Sequence, residues 1–293
     1  MRVATHDGSF HADEVFAIAA LGLAEGRMEL VRSRDAATIA ACDLRVDVGL
    51  REDPATGDFD HHQKGGAGER PNGIRFASFG LVWRAFGEQI CGDAAAAARV
   101  DSVLVQPVDA ADTGQTLSKS LFPGVHAMTV SHAIAAFNPP WDAGDDLAAE
   151  EEGRFTEALR FATGILTREI ASAAAGSRAT GLVADAIARA ADPRIIELDR
   201  SMPWREAVVT GAPEALFVVY PKSDGWGMQA VPRELGSFGN RKDLPEAWAG
   251  RSGDELAEAT GVPDARFCHP GRFIVVAESH EGIHALAARA LTA

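Results

Sequence analysis

Four of the nine histidines fall within the first 62 of 293 residues. His6, His11, His61 and His62 lie beside Asp13, Asp47 and Asp60. Imidazole and carboxylate presented together suit manganese, iron, cobalt or zinc, whereas carboxylates alone suit magnesium better. A mixed set of about six such groups is enough for two metals about 3.5 to 4 Å apart, the spacing that activates a water and neutralises a phosphoryl group. A lone histidine carries no such reading, because most are structural or surface residues. The concentration carries it: these residues sit at the ends of expected strands or in the loops after them.

The elements that must position them read as β-α-β-α-β. Arg2 to Thr5 is a short β-prone run, and Ala12 to Ala24 follows with Val15, Ile18, Ala19 and Leu21 at helical spacing. Glu29 to Arg32 returns as a strand, Asp35 caps a short helix to Ala41, and Leu44 to Val48 is β-prone again. Such units build a parallel sheet, with ligands gathering beyond the carboxyl ends of its strands. His6 and Asp47 fall at such ends. A glycine-rich loop follows residue 62. The stripe Phe79, Val82, Trp83, Phe86 predicts a helix from Ser78, and Asp93 to Val105 a second.

Glu150 to Ala175 repeats apolar residues at Phe155, Leu159, Ala162, Ile165, Leu166 and Ile170, a long amphipathic helix. The acids Asp145-Asp146 and Glu150-Glu151-Glu152 suit the amino end of that helix. Gly176, Gly181 and Pro193 punctuate the chain beyond it, and short β-prone runs then alternate with turns at 195–198, 207–209, 216–220 and 273–277. The fold class expected is α/β: a parallel-sheet domain over 1–193 and a second, smaller α+β domain over 194–293.

Forty-six per cent hydrophobic and 24% charged residues describe a globular chain rather than a disordered, collagenous or coiled-coil one. The three cysteines, Cys42, Cys91 and Cys268, are too far apart for a zinc ribbon or redox motif, which points to a reducing compartment, read here as the cytoplasm. Charge appears by Asp7 and no later stretch approaches ~18 uncharged apolar residues, so neither a signal peptide nor a membrane span is expected. A net charge of −14 repels polyanions and excludes a sequence-independent duplex binder, unless metals or a local basic patch reverse the field. About 12 of those 14 excess negative charges lie before residue 200, so the two halves are read as doing different jobs. Serine-hydrolase elbow, Walker loop and dinucleotide fingerprint are all absent.

Asp60-His61-His62 resembles the namesake signature of the DHH phosphoesterase superfamily, with His6-x4-His11-x-Asp13 and Asp47 where its first two motifs stand. More narrowly, the segments 5–14, 58–63, Val108-Asp109-Ala110-Ala111-Asp112-Thr113-Gly114 and Phe267-Cys268-His269-Pro270-Gly271-Arg272-Phe273 resemble the melanocyte proliferating gene one family from end to end. The resemblance implies a first metal on His6, His11 and Asp47. Asp47 would bridge to a second held by Asp13, His61 and an acid of the fourth block, either Asp109 or Asp112. The superfamily's first motif is His-x3-Asp-x-Asp; the extra residue and His11 here favour borderline metals. His62 would point at the substrate phosphate, and Asp60 would orient an imidazole through its other nitrogen.

The implied cofactor is two divalent ions, manganese first, with zinc, iron, cobalt or magnesium as alternatives. The implied reaction is phosphoester hydrolysis by a metal-activated water, in the form of a 3′-5′ exonuclease on RNA or short oligonucleotides. A phosphatase or pyrophosphatase acting on a small phosphate ester is the first alternative. A non-catalytic metal- or nucleic-acid-binding protein is the second, and a homo-oligomer stays open. In the second half, Arg233, Arg241, Lys242, His269 and Arg272 stand near glycines or prolines as candidate phosphate contacts. Cys268, Trp204, Trp226, Trp248 and Phe238 could serve as a thiol nucleophile or base-stacking rings, though burial in a core explains them more simply.

Overall fold

The computed structural model describes residues 1–142 and 147–293; the acids Asp145-Asp146 lie outside them. The chain divides into two compact units, Met1–Ala174 and Ala175–Ala293. No helix among the described residues is long and apolar enough to cross a membrane.

The first unit begins with strand β1 (Arg2–Thr5), helix α1 (Ala12–Glu25), β2 (Glu29–Arg32), α2 (Ala36–Ala40) and β3 (Leu44–Val46). Asp35 caps α2 as its sequence position predicts, accepting from the Thr38 N–H at 2.8 Å. Two short strands follow, β4 (Glu52–Asp53) and β5 (Asp58–Phe59), and the sheet order is β2-β1-β3-β5-β4. β1, β2, β3 and β5 run parallel, whereas β4 pairs antiparallel with β5. The expected parallel sheet is found in four of the five strands, and β4 adds an antiparallel edge that makes the sheet mixed. β4 and β5 are two residues each, too short to leave a periodicity in the sequence.

Residues 12–21 of α1 are all buried, so this helix is covered on every side. Its Phe16 stacks on Phe79 of α3 (Ser78–Cys91) with ring centroids 5.3 Å apart. Phe79, Val82 and Trp83 of the expected stripe are buried, each side chain contributing about 1.5–3 kcal/mol by its removal from water. The next helical stretch is longer than expected. α4 (Ala94–Val100) passes through a π turn at Asp101–Val105 into α5 (Gln106–Asp112), where Pro107 supplies no N–H to the preceding turn. After α6 (Val130–Ala135) comes α7 (Leu147–Arg189), whose Phe155, Ala162 and Leu166 enter the first unit's core.

Gly176 and Gly181, expected as punctuation, lie inside α7; added side chains there would meet nothing within 4 Å. Glycine in an exposed helix costs only about 1 kcal/mol, which a helix of 43 residues absorbs.

The second unit carries β6 (Ile195–Glu197), α8 (Arg205–Gly211), β7 (Phe217–Lys222), β8 (Gly225–Ala230), α9 (Gly253–Thr260), β9 (Ala265–Cys268), β10 (Ile274–Ala277) and α10 (His280–Thr292). Its sheet order is β6-β7-β8-β10-β9, parallel only between β6 and β7. The run 207–209, expected as a strand, is part of α8, where Val208 alone is buried. A three-residue apolar run fits either period. Trp204 and Trp248 are buried, the core alternative for these rings, while Phe238 is exposed.

Candidate metal centre

Three parallel neighbours in the first sheet end at one edge, and each releases a ligand-type residue there. His6 follows β1, Asp47 follows β3, and Asp60-His61-His62 follows β5. Three helix termini meet the same edge. His11 is the N-cap of α1, with Asp13 and Glu14 in its first turn; Ser78 opens α3; Asp112 closes α5.

Asp47 joins these groups. Its backbone is left-handed, with φ 57°, a conformation that costs a non-glycine residue about 1–3 kcal/mol and clusters at functional sites. The carboxylate Oδ2 lies 3.4 Å from His6 Nε2, while Oδ1 lies 3.3 Å from both His61 Nε2 and His62 Nδ1. Ser78 fixes it by donating its hydroxyl to Oδ1 at 2.9 Å, and the Ser78 N–H donates to Asp13 Oδ2 at 3.3 Å. His61 Nε2 is ringed by Asp112 Oδ2 at 3.1 Å, Asp47 Oδ1 and Asp13 Oδ2 at 3.7 Å. Glu14 takes the His11 N–H at 2.7 Å and places Oε1 3.2 Å from His6 Nε2.

Burying this many carboxylates demands positive charge. Burial and the neighbouring Asp47, Glu14 and Asp112 carboxylates push Asp13 well above the ordinary range. Burial acts the same way on Asp47, but contacts with His6, His61 and His62 hold it well below. Burial opposes charge on His6 and His61, yet Asp47, with Glu14 for the one and Asp112 for the other, pushes both up to about 10. A divalent cation placed among these groups would supply the same positive charge.

The donor set fits a metal on a further count. Asp13 Oδ1, Glu14 Oε2 and His61 Nε2 are buried with no hydrogen-bond partner among the described residues. Each such orphan costs about 1–3 kcal/mol. His61 Nε2 has three carboxylates at about the separation of neighbouring ligands on one ion, but none lies where an N–H could donate to it. The groups His6/His11/Glu14/Asp47, Asp47/His61/His62 and His11/Asp13/Asp112 each present ligand atoms within 4.8 Å of one another.

His62 has a different environment. Asp60 Oδ1 accepts from its backbone N–H at 3.0 Å and lies 2.9 Å from its Nδ1, while Asp60 Oδ2 accepts from the Leu50 N–H at 2.6 Å. Asp60 is buried and the His62 side chain is half-exposed, so the carboxylate fixes the ring and leaves Nε2 outward. The Asp47 contact is the main cause that pushes His62 up to about 9.

Asp109 and Asp112 part company. Asp109 Oδ2 accepts from Arg70 Nη1 at 2.8 Å and Oδ1 from the Gly80 N–H at 2.9 Å. A Cβ on Gly80 would stand 1.9 Å from Asp109 Oδ2, so α3 needs glycine there for the carboxylate to approach. Of the two acids in that block, Asp112 is the one grouped with His11, Asp13 and His61.

A cavity of about 860 Å³ opens beside His11 and Asp112. Lys119, His126 and His132 are among its lining residues. Its size suits a nucleotide-sized ligand.

The candidate phosphate contacts of the second unit are engaged locally. Arg241 donates to the carbonyls of Val209, Ala212, Pro213 and Ala215, and Lys242 to those of Leu291 and Ala293. Arg233 Nε donates to Asn240 O at 3.0 Å, Arg272 pairs with Asp243 at 3.1 Å, and His269 Nδ1 accepts from the Gly271 N–H. Burial pushes the Cys268 thiol up to about 11 despite Arg272, the opposite of an activated nucleophile.

Sequence reasoning alone does not single out Glu14 or Ser78. The signal for Glu14 is its place three residues after the N-cap, the reciprocal position of a capping box; Ser78 has only its position at a helix start.

A family model named MYG1_exonuc, described as uncharacterised protein family UPF0160, matches residues 2–291. A MYG1 protein of Chlamydia trachomatis is 33% identical over 287 residues, covering 95% of this chain and 92% of the relative. The human protein named MYG1 exonuclease is 32% identical over 320 residues, covering 98% of this chain and 84% of the relative. A MYG1 protein of Schizosaccharomyces pombe is 28% identical, with 99% and 97% covered.

Proposed function

Since this chain belongs to the MYG1 exonuclease family, with residues 2–291 matched, we propose that it is a metal-dependent phosphodiesterase. In this reading it removes nucleotides from the 3′ end of RNA or short oligonucleotides. The observation that carries the reading is Asp47, whose two oxygens face His6 on one side and His61 on the other, so that one carboxylate would serve both groups of ligands. His6, His11 and Asp47, joined by Glu14, would hold one ion; Asp13, His61 and Asp112 would hold the other with Asp47. The mixture of imidazole and carboxylate favours manganese over magnesium, with zinc, iron and cobalt in the same class. Ions bound there supply a water acidified toward neutral pH and positive charge against the phosphate oxygens.

The chain's own residues do the rest. His62, its Nδ1 beside Asp60, presents Nε2 to a phosphate oxygen or the leaving group, and its protonated form donates there. Lys119, His126 and His132 line the neighbouring cavity and offset the charge of a polyanion entering an acidic protein. The placement of Asp60-His61-His62 directly after β5 supports kinship with the DHH phosphoesterases. Arg241 and Lys242 each donate to two or more backbone oxygens, so any phosphate contact from residues 194–293 would fall first to Arg233, His269 and Arg272, which have fewer hydrogen-bonded partners among the described residues. Three free cysteines accord with action in the cytoplasm.

The test compares mononucleotide release from a short 3′-labelled RNA with phosphate release from small esters and pyrophosphate, each with manganese and with chelator. Metal-dependent mononucleotide release is expected. Phosphate release from small compounds alone would replace this reading with a phosphatase.

A further inference from the structure

Apart from the centre after β1, β3 and β5, one more group of metal-ligating side chains converges among the described residues: Glu197, His280 and His284. All three belong to the second unit. Glu197 ends β6, and His280 begins α10 with His284 one turn further on. Residues four apart share a helix face, and the two imidazole centroids are 4.4 Å apart. His280 Nε2 lies 2.7 Å from Glu197 Oε1, and His284 Nε2 lies 2.9 Å from Oε2. One carboxylate thus meets two imidazole nitrogens, with all ligand atoms within 4.8 Å.

The surroundings hold this arrangement in place. Trp226 on β8 sets its ring edge-on to His280, with centroids 4.6 Å apart. Ser279 caps α10 by accepting from the Gly282 N–H at 2.9 Å, and Asp264 in turn accepts from the Ser279 N–H at 3.0 Å. Ile283 and Leu286, on the flank of the helix beside the two histidines, are buried and fix its rotation. The three side chains remain about 40–50% exposed, so a metal has access from solvent and a position for water.

We propose that Glu197, His280 and His284 form a second, independent site for a borderline divalent cation, zinc first and cobalt, nickel or copper by the same chemistry. Two nitrogens and one carboxylate are a poor set for magnesium or calcium, which take oxygen ligands. Bound metal ties β6 to α10 across 83 to 87 residues of sequence and pins the first strand of the second sheet to the final helix. This site is separate from the proposed catalytic centre and does not depend on its activity.

The experiment counts zinc per chain by elemental analysis after dialysis, in the unaltered protein, in the double variant His280→Ala/His284→Ala, in Glu197→Gln and in Asp47→Asn. The unaltered chain is expected to hold one zinc more than the double variant, Glu197→Gln to lose the same ion, and Asp47→Asn to keep it. Equal zinc in the unaltered chain and a folded double variant overturns the site. A second measurement needs no altered ligand: nickel added to the unaltered chain should quench tryptophan emission in a saturable step that Trp226→Phe removes. If no such step occurs, the site is overturned whatever the variants do.

Discussion

Asp47 Oδ1 stands 3.3 Å from His61 Nε2, and the nitrogen still has no hydrogen-bond partner. The two atoms are close because the left-handed turn at Asp47 and the loop after β5 drive them toward one point. That point suits a shared cation better than a shared proton. Asp47→Asn keeps the size of the side chain, and asparagine tolerates φ near 57° better than alanine would. Hydrolysis is expected to fall by about 10² or more, the scale on which loss of a preorganised charge-stabilising group is felt. His61→Ala should behave alike. Circular dichroism should stay unchanged in both, and full activity in either would remove the shared-ligand role.

The two acids of α5 should separate cleanly on substitution. Asp112→Asn is expected to reduce metal content and activity with less change in stability than Asp109→Asn, since Asp47 and Asp13 still face His61. Asp109→Asn takes from Arg70, 8% exposed, its buried carboxylate and leaves it the Asp101 carboxylate at 2.9 Å, and should destabilise the fold by about 1.5–3 kcal/mol. Gly80→Ala should destabilise comparably by displacing the same carboxylate. Denaturant melts beside metal analysis decide this, and an Asp109→Asn chain of unaltered stability but lost metal would reverse the assignment.

Those acids also show where sequence stops being informative. Asp109 and Asp112 are three apart and both carboxylates; their fates differ because the π turn before α5 sets the helix phase, and because Gly80, 29 residues earlier, opens a space for one of them. Neither cause has a local signature. The strand-end positions of His6 and Asp47 were legible because β1 and β3 announce themselves by short β-prone runs, whereas His61 was marked by the Asp60-His61-His62 motif and not by the strand before it. β5 itself was not legible, at two residues. In the second unit, glycine and proline flanks marked Arg241 and Lys242 as ligand contacts, when their real partners are the carbonyls left open at the ends of α8 and α10. A charged side chain near a turn looks the same in sequence whether it caps a helix or meets a phosphate.

Among the described residues the Asp60 carboxylate engages the Leu50 N–H, the His62 N–H and His62 Nδ1. Removing its carboxylate should therefore leave metal in place and slow the reaction. Asp60→Asn is expected to cost about 10- to 100-fold in turnover, the usual loss when a group orienting a functional imidazole is removed. His62→Ala should cost at least as much. Metal content equal to the unaltered chain, alongside reduced turnover, is the expected pattern; loss of metal in Asp60→Asn would make the residue part of the centre instead.

The metal-free chain should lose stability as pH rises. His6 and His61 stand at about 10 in the fold against an ordinary value of 6.5, so the folded chain holds protons that the unfolded chain releases. Their contribution is complete below about pH 6.5 and disappears as pH climbs toward about 10. Asp13, also raised, acts in the same direction from lower pH. Metal reverses the dependence, because cations bind neutral imidazole and displace those protons. Thermal melts at about pH 7 and about pH 9 should show a lower midpoint at the higher pH with chelator, and a manganese-induced rise that grows with pH. A manganese effect of equal size at both would mean that the ion binds without displacing protons from His6 and His61.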